Sequence, residues 1–243
     1  MQHHTRSVTT HEVQLAISHL KYGTLVGPDG ISYTTLRHVH EAVPGLLPLL
    51  FNACFRHAVH PPEWKTANRI IIPKPGKTTY SDPTSCRPIS LQSCFGKLLE
   101  AIVAKRLTHA AILCGATHPS QMGGQPDNSA VDTLLRIIIP IANAISIKKK
   151  SSSAMNAAQR PAVLTHDIEG AFNEVHPTTL QQVMTQCGMP IYLVRWIEAF
   201  NTDRQISYGF DQQSKEPQPY RCGLPQGSPH QEKKNCILSI RTH

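Results

Sequence analysis

The sequence predicts an α+β fold. Stretches with apolar residues at helical spacing lie near both ends of the chain, two strand-like runs flank a basic turn in the first half, and another apolar run ends at an acid in the second half. The expected order is therefore helices, hairpin, helix, strand, helices and a second hairpin. A chain of 243 residues can form one large domain or two small subdomains around a buried core.

Two helices are expected before residue 62. The first runs from Thr10, its N-cap, to Tyr22, because apolar side chains recur at helical spacing and Gly23 can stop the helix. Gly27-Pro28-Asp29-Gly30 has the chemistry of a turn, since proline presets φ and glycine tolerates positive φ. The second helix runs from about Val43 to Val59, where Pro61-Pro62 would end it.

A basic hairpin is expected next. Arg69 to Ile72 is typical of a strand, Pro73 to Lys77 forms a basic turn, and Cys86 to Leu91 is the returning strand. Pro88 lacks an N–H group, which favours the edge of a sheet for this second strand. A helix from Phe95 to Leu107 should follow it. One face of that helix carries the apolar residues Leu98, Leu99, Ile102, Val103 and Leu107.

The second half begins with a polar stretch from Lys148 to Arg160, which we expect to be a surface loop. Ala162 to Ile168 predicts a short buried strand that ends at Asp167. A helix from Pro177 to Cys187, stopped by Gly188, should follow, and then a helix from Pro190 to Phe200. Arg204 to Phe210 and Gln218 to Leu224 should form a second hairpin.

Composition narrows the class of protein. The net charge of +8 favours an anionic partner, most commonly nucleic acid, and the basic residues concentrate around the first hairpin. The 7 cysteines include no C-x-x-C pair, which argues against a zinc ribbon and suits a nuclear or cytoplasmic location. We expect neither a signal peptide nor a membrane span, since Ile137 to Ile147 is too short. Cys54, His57 and His60 are interpreted as ordinary helix residues rather than metal ligands.

Three features could carry chemistry, although each has an ordinary explanation. Asp167 ends a strand, where a carboxylate can be held rigidly for a hard cation, but a lone aspartate is more often a cap or turn residue. The turn from Gly223 to Pro229 lets the backbone approach a ligand, or is an ordinary loop. The turn around Lys74 could bind an anion, or could be a solvated basic loop.

Taken in order along the chain, these features and the motifs between them resemble the reverse transcriptase of non-LTR (LINE-type) retrotransposons. The resemblance runs from about Val13 to Pro229, nearly the whole chain. The matching residues are Gly27 to Ile31, Trp64-Lys65, Ile72 to Lys77, Arg87 to Leu91, Lys97 to Glu100, Gln121 to Gly124, Asp167 to Phe172 and Gly223 to Pro229.

The resemblance implies a right-hand polymerase that copies RNA into DNA, with fingers and a partial palm. Asp167 matches the first catalytic aspartate, whose carboxylate would bind Mg²⁺ together with the carbonyl of Ile168. Phe172 matches the bulky residue beneath the sugar of the incoming nucleotide. The implied partners are an RNA template, a DNA primer and deoxynucleoside triphosphates, and the sequence does not indicate an oligomeric state.

Nucleotide contacts are implied for two further regions. Lys74 and Arg87 match residues of the fingers that hold the triphosphate, lysine as a point charge and arginine as a bidentate fork. Gln226 matches a residue beside the nucleotide. Its neighbours in the same turn, close to template and primer, are Gly223, Leu224, Pro225, Gly227 and Ser228.

The sequence departs from the family pattern after this turn. Two-metal nucleotidyl transfer needs several carboxylates, which the family supplies with a pair of aspartates, yet no two aspartates are adjacent here. We therefore expect a fragment without the paired-aspartate hairpin or the thumb, inactive alone, from a frameshift, mis-splicing or a truncated gene model. A non-catalytic nucleic-acid-binding remnant and an unstable relic are the alternatives. The implied division is an N-terminal helical segment at 1–60, a fingers-like region at 61–160 with a surface loop near 148–160, an incomplete palm at 161–229 and an aberrant tail at 230–243.

Overall fold

A computed structural model describes residues 7–20, 25–76, 78–82, 85–123, 125, 128–150, 162–166, 175–210, 213–214 and 216–219. These residues form a mixed α+β fold, which confirms the predicted class. The helices are α1 (Thr10–Ser18), α2 (Tyr33–Ala42), α3 (Leu46–His57), α4 (Pro62–Lys65), α5 (Cys94–Leu113), α6 (Ala130–Lys150), α7 (Pro177–Gln186) and α8 (Ile191–Asn201). The strands are β1 (Thr66–Pro73), β2 (Cys86–Leu91), β3 (Gln205–Phe210), β4 (Gln213–Ser214) and β5 (Gln218–Pro219).

Strand β1 organises the sheet. It pairs antiparallel with β2, which forms the first predicted hairpin, and parallel with β3. Strand β3 in turn pairs antiparallel with β4 and β5, so the second predicted hairpin is present as far as Pro219, and residues 220–224 of its second strand lie outside the described residues. Strand β2 lies at the edge of the sheet, as Pro88 predicts. The parallel pairing covers only Thr66–Arg69 of β1, and the remainder of the first hairpin therefore extends beyond it.

Helix α5 lies at the centre of the apolar core. The face predicted for it is confirmed, since Leu98, Leu99, Ile102, Val103 and Leu107 are all buried. Helices α1, α2 and α4 contact α5 directly. Helices as short as α1, α2 and α4 are only marginally stable alone. Packing against the buried helix α5 removes apolar surface from water and stabilises them.

An ion pair fastens the first helix to this core. The guanidinium of Arg106 donates to both carboxylate oxygens of Glu12, at 2.9 Å from Nε and 2.8 Å from Nη2. The same guanidinium lies over the rings of Phe55 and Tyr192, at 5.4 and 5.9 Å from their centroids. The side chain of Arg106 is 9% exposed and that of Glu12 is 33% exposed, so water screens this bidentate pair less than a fully exposed one.

Several predicted helix boundaries are wrong in the first half. Helix α1 is capped by Thr9, not Thr10, because a capping box links Thr9 and Glu12, and the helix ends at Ser18. Helix α3 ends before the prolines, where Ala58 adopts a left-handed conformation at φ 50°. Pro61-Pro62 instead begin α4, which suits proline because the first helical N–H groups need no partner. The helix Tyr33–Ala42 was not predicted.

Two predictions fail in the second half. Lys148 to Lys150 end helix α6 rather than begin a loop, and the rest of that loop lies outside the described residues. Ala162 to His166 form no strand, and Leu164 is 81% exposed. Apolar composition favours burial, but a strand also needs a neighbour, and none of the described strands pairs with this segment. Within the described ranges, no helix is long and apolar enough to cross a membrane.

Candidate functional site

The candidate site residues fall into two groups. Lys74 and Arg87 are described, on the hairpin that β1 and β2 form. The others lie outside the described residues: Asp167, Ile168, Phe172, Gly223, Leu224, Pro225, Gln226, Gly227 and Ser228. The described geometry of the candidate site is therefore limited to the β1–β2 hairpin and the residues where it joins the sheet.

The register of the hairpin places its two candidate cations on one face. Arg87 lies opposite Ile72 in the ladder. The N–H of Lys74 donates to the carbonyl of Ser85 at 2.9 Å, which extends the same register one residue beyond β1. Residues two apart on a strand share a face, so Lys74 and Arg87 are diagonal neighbours, with Cα atoms about 7–8 Å apart. A group with several anionic oxygens can span such a spacing.

The turn of the hairpin folds back onto the adjoining ends of its two strands. The hydroxyl of Tyr80 donates to the carbonyl of Lys74 at 3.0 Å. The N–H of Ser85 donates to the carbonyl of Asp82 at 2.9 Å, and Gly76 supplies the left-handed conformation of the turn at φ 77°. Both backbone polar groups of Lys74 are thus engaged within the hairpin. Its backbone position is fixed by these bonds.

An arginine and a tyrosine brace the hairpin where it leaves the sheet. Arg69 of β1 and Tyr208 of β3 are partners in the parallel ladder. Nη1 of Arg69 donates to the hydroxyl of Tyr208 at 3.2 Å, and the guanidinium carbon lies 5.7 Å from the centre of the ring. Sequence reasoning placed both residues on strands but missed this contact, because the pairing of the two strands is not a local property.

Below the strands, an aromatic cluster encloses His60. Its ring meets those of Trp64, Trp196 and Phe200 at steep angles, with centroids 5.6, 5.4 and 5.1 Å away. His60 is 1% exposed, and neither ring nitrogen has a hydrogen-bond partner among the described residues. Burial, reinforced by the positive charges of Arg204 and Lys65, lowers the pKa of His60 from 6.5 to about 3. The imidazole is therefore neutral at physiological pH.

This placement separates three residues whose sequence spacing could suggest a metal site. Cys54 is buried within α3, His57 is exposed at the end of that helix, and His60 lies beyond it in the aromatic cluster. Among the residues that the structure describes, no three His, Cys, Asp or Glu side chains are arranged to hold a metal ion. The described part of the site can attract anions through Lys74 and Arg87, and it contains no such ligand cluster.

Comparison with known families identifies one match. Residues 72–230, more than half of the chain, match the family model described as reverse transcriptase (RNA-dependent DNA polymerase). The matched region includes the end of β1, the basic turn and β2 of the hairpin, and every candidate site residue.

Individual relatives come from insect mobile elements. The RNA-directed DNA polymerase from mobile element jockey of Drosophila melanogaster is 28% identical over 223 residues, which are 91% of this chain and 23% of that protein. The retrovirus-related Pol polyprotein from type-1 retrotransposable element R2 of Popillia japonica is 27% identical over 189 residues, 77% of this chain and 23% of that protein. The corresponding R1 polyprotein of Bradysia coprophila is 38% identical over 96 residues, 40% of this chain and 10% of that protein.

The buried neutral His60 predicts a pH dependence of folding. Below pH 6.5 the unfolded chain binds a proton at His60, whereas the folded chain does so only near its pKa of about 3. The free energy of unfolding should therefore fall on acidification below pH 6.5, by at most about 1.4 kcal/mol per pH unit from this residue. Urea titrations between pH 4.5 and 7.5 measure the slope.

The variant His60→Phe, which keeps an aromatic ring in the cluster, should show a slope shallower by up to one proton. His57→Gln is the matched control, because it also removes a histidine but at an exposed position outside the aromatic cluster. Equal slopes for His60→Phe and the unmodified chain would contradict the assignment.

Proposed function

Because the chain belongs to the reverse transcriptase family, of the non-LTR retrotransposon type, we propose that it forms the fingers and part of the palm of an RNA-directed DNA polymerase. Its proposed substrates are an RNA template, a DNA primer and deoxynucleoside triphosphates. The chain spans 23% of the jockey polymerase and 23% of the R2 polyprotein. The proposal therefore concerns the part of the reaction that these residues can perform.

The main support for the proposal is that Lys74 and Arg87 lie on the same face of the hairpin. The ladder sets Arg87 opposite Ile72, and the bond from Lys74 to Ser85 continues that register. Lysine offers a compact charge and arginine a planar fork, so together they suit a triphosphate whose charged oxygens are spread over several ångströms. Arg87 is exposed and Lys74 is half-buried, so phosphate groups can approach from solvent.

The proposed chemistry beyond phosphate binding rests on sequence. Asp167 and the carbonyl of Ile168 would hold a divalent metal ion, Mg²⁺ in our proposal, which would offset charge on the phosphates. Phe172 would lie beneath the sugar, and Gln226 with the turn around it would lie beside the nucleotide. The described residues hold no metal-ligand group, so no step of the reaction is derived through the ion.

A polypeptide of these 243 residues should bind nucleic acid and nucleotide without polymerising. Two closely spaced divalent cations repel each other, and several carboxylates must offset that repulsion. No two aspartates are adjacent in the sequence, and Asp167 alone would leave the proposed site short of charge. The basic hairpin needs no metal to attract phosphate, which makes binding separable from chemistry.

Binding is tested with a deoxynucleoside triphosphate in the presence of an RNA template annealed to a DNA primer. Lys74→Ala combined with Arg87→Ala should weaken binding of the triphosphate at least about tenfold at low salt, because the two charges that face its phosphates are removed. Arg56→Ala is the matched control, because Arg56 is an exposed cation on α3, away from the hairpin. Affinity of the double variant equal to that of the control would contradict the proposal.

Chemistry is tested by primer extension with Mg²⁺ on the same template. The unmodified polypeptide and Asp167→Ala should both give extension at background, since the carboxylates available are too few for two metal ions. Robust extension by the unmodified chain that Asp167→Ala abolishes would overturn the predicted inactivity. The same result would support Asp167 as a metal ligand.

A further inference from the structure

The basic hairpin projects from the sheet as a two-stranded arm. Strand β3 accompanies β1 only as far as Arg69, whereas β1 and β2 remain paired out to Pro73. On the projecting part, Ile71 and Ile72 are 43% and 45% exposed, so little of the described chain packs against it. The direction of the arm must therefore be set where it joins the body of the protein.

At that junction a buried glutamine bridges two opposite charges. Gln92 directly follows β2 and is 1% exposed. With the amide assigned so that its oxygen faces Arg204, that oxygen accepts from Nη2 of Arg204 at 2.5 Å and the amide nitrogen donates to Oε1 of Glu100 at 3.3 Å. This orientation alone satisfies both neighbours, because the guanidinium can only donate and the carboxylate can only accept. Glu100 and Arg204 are 1% and 3% exposed.

Each partner of Gln92 belongs to a different part of the framework. Arg204 immediately precedes β3, and its guanidinium lies 4.2 Å from the centre of the Phe200 ring while Nη1 donates to the carbonyl of Phe200 at 3.3 Å. Glu100 lies in the second turn of α5, the central helix. Gln92 therefore connects the end of β2 both to the start of β3 and to the core.

The turn that begins at Gly27 closes the junction from the other side. A Cβ atom on Gly27 would lie 2.6 Å from the backbone of Gln92 and Ser93, so the turn rests directly on that peptide. Only glycine permits this approach. The backbone of Gln92 is thus held by the turn, while its side chain is held by the two charges.

We propose that Gln92 is a positioning residue that fixes the direction of the hairpin, and through it the positions of Lys74 and Arg87 against the phosphates of bound substrate. The proposal rests on the proposed function for what the arm binds. Lys74 lies six residues from Asn68, the last residue but one in the parallel pairing, or about 20 Å along an extended strand. A small rotation at the junction becomes a displacement of several ångströms at the tip, which is enough to separate a cation from its phosphate.

Two variants separate positioning from simple space-filling. Gln92→Met fills a similar volume with no polar group, so Arg204 and Glu100 lose their bridge. The double variant Gln92→Glu with Glu100→Gln restores one carboxylate and one amide in exchanged positions, so that arginine, carboxylate and amide can again bond in sequence. If Gln92 acted only by filling space, Gln92→Met would keep the native direction of the arm better than the double variant.

The direction of the arm can be measured directly. Thr78, on the exposed tip, and Arg195, on the exposed face of α8, are each replaced by a residue with an azide side chain. A spin label is attached to each azide, and pulsed electron paramagnetic resonance measures the distance between the two labels on the full chain. Gln92→Met should shift or broaden the distance distribution, and the double variant should return it to that of the unmodified chain. Affinity for the deoxynucleoside triphosphate in the presence of the template–primer duplex should fall at least about tenfold in Gln92→Met and recover to within about threefold in the double variant.

An unchanged distance distribution in Gln92→Met would overturn the positioning role. Failure of the double variant to restore the distribution, despite cooperative thermal unfolding, would overturn it as well. If Gln92→Met does not fold, the exchanged pair still decides, because a native distribution from it requires the bridge to re-form. The distances between the labels do not depend on what the arm binds. If the proposed function were wrong, that would appear instead as unchanged binding in the Lys74 and Arg87 variants.

Discussion

The four-residue parallel pairing between β1 and β3 is the constraint on which the described fold depends. It joins residues as far apart as Arg69 and Tyr208, 139 positions along the chain, and no local interaction can replace it. The hairpin would otherwise be an isolated pair of strands, which is only marginally stable in water. The pairing costs chain entropy when the long loop closes, and the core around α5 and α8 supplies the apolar burial that offsets it.

The charges of the protein are divided between the core and the arm. At the base, Glu100 and Arg204 are buried, and each finds polar partners there, as buried ions must. On the arm, Arg87 faces solvent and Lys74 is half-buried, where positive charge can attract phosphate at modest desolvation cost. Buried polar groups thus fix the framework, and the candidate cations lie at or near the surface of the arm.

Periodicity and turn chemistry predict the local elements well, and they fail where a structure depends on distant partners. The buried face of α5 and the two hairpins follow from spacing and from turn residues. The strand predicted from Ala162 to Ile168 does not form over its described part, Ala162 to His166, because apolar composition does not provide a neighbouring strand. The pairing of β1 with β3, the Arg69–Tyr208 contact and the bridge at Gln92 join segments that no sequence window contains together. Lys74 and Arg87 were found from their motifs, but only the register of the ladder reveals that they share a face.

Photolabelling tests the central claim, that the hairpin receives the phosphates of the substrate. The probe is a deoxynucleoside triphosphate with an aryl azide on its γ-phosphate, added with Mg²⁺ and a template–primer duplex, and labelled peptides are mapped by mass spectrometry. The account predicts label on the peptides between Arg69 and Leu91, which unmodified triphosphate should displace. Displaceable label on helices α1 to α3, with the hairpin unlabelled, would contradict it.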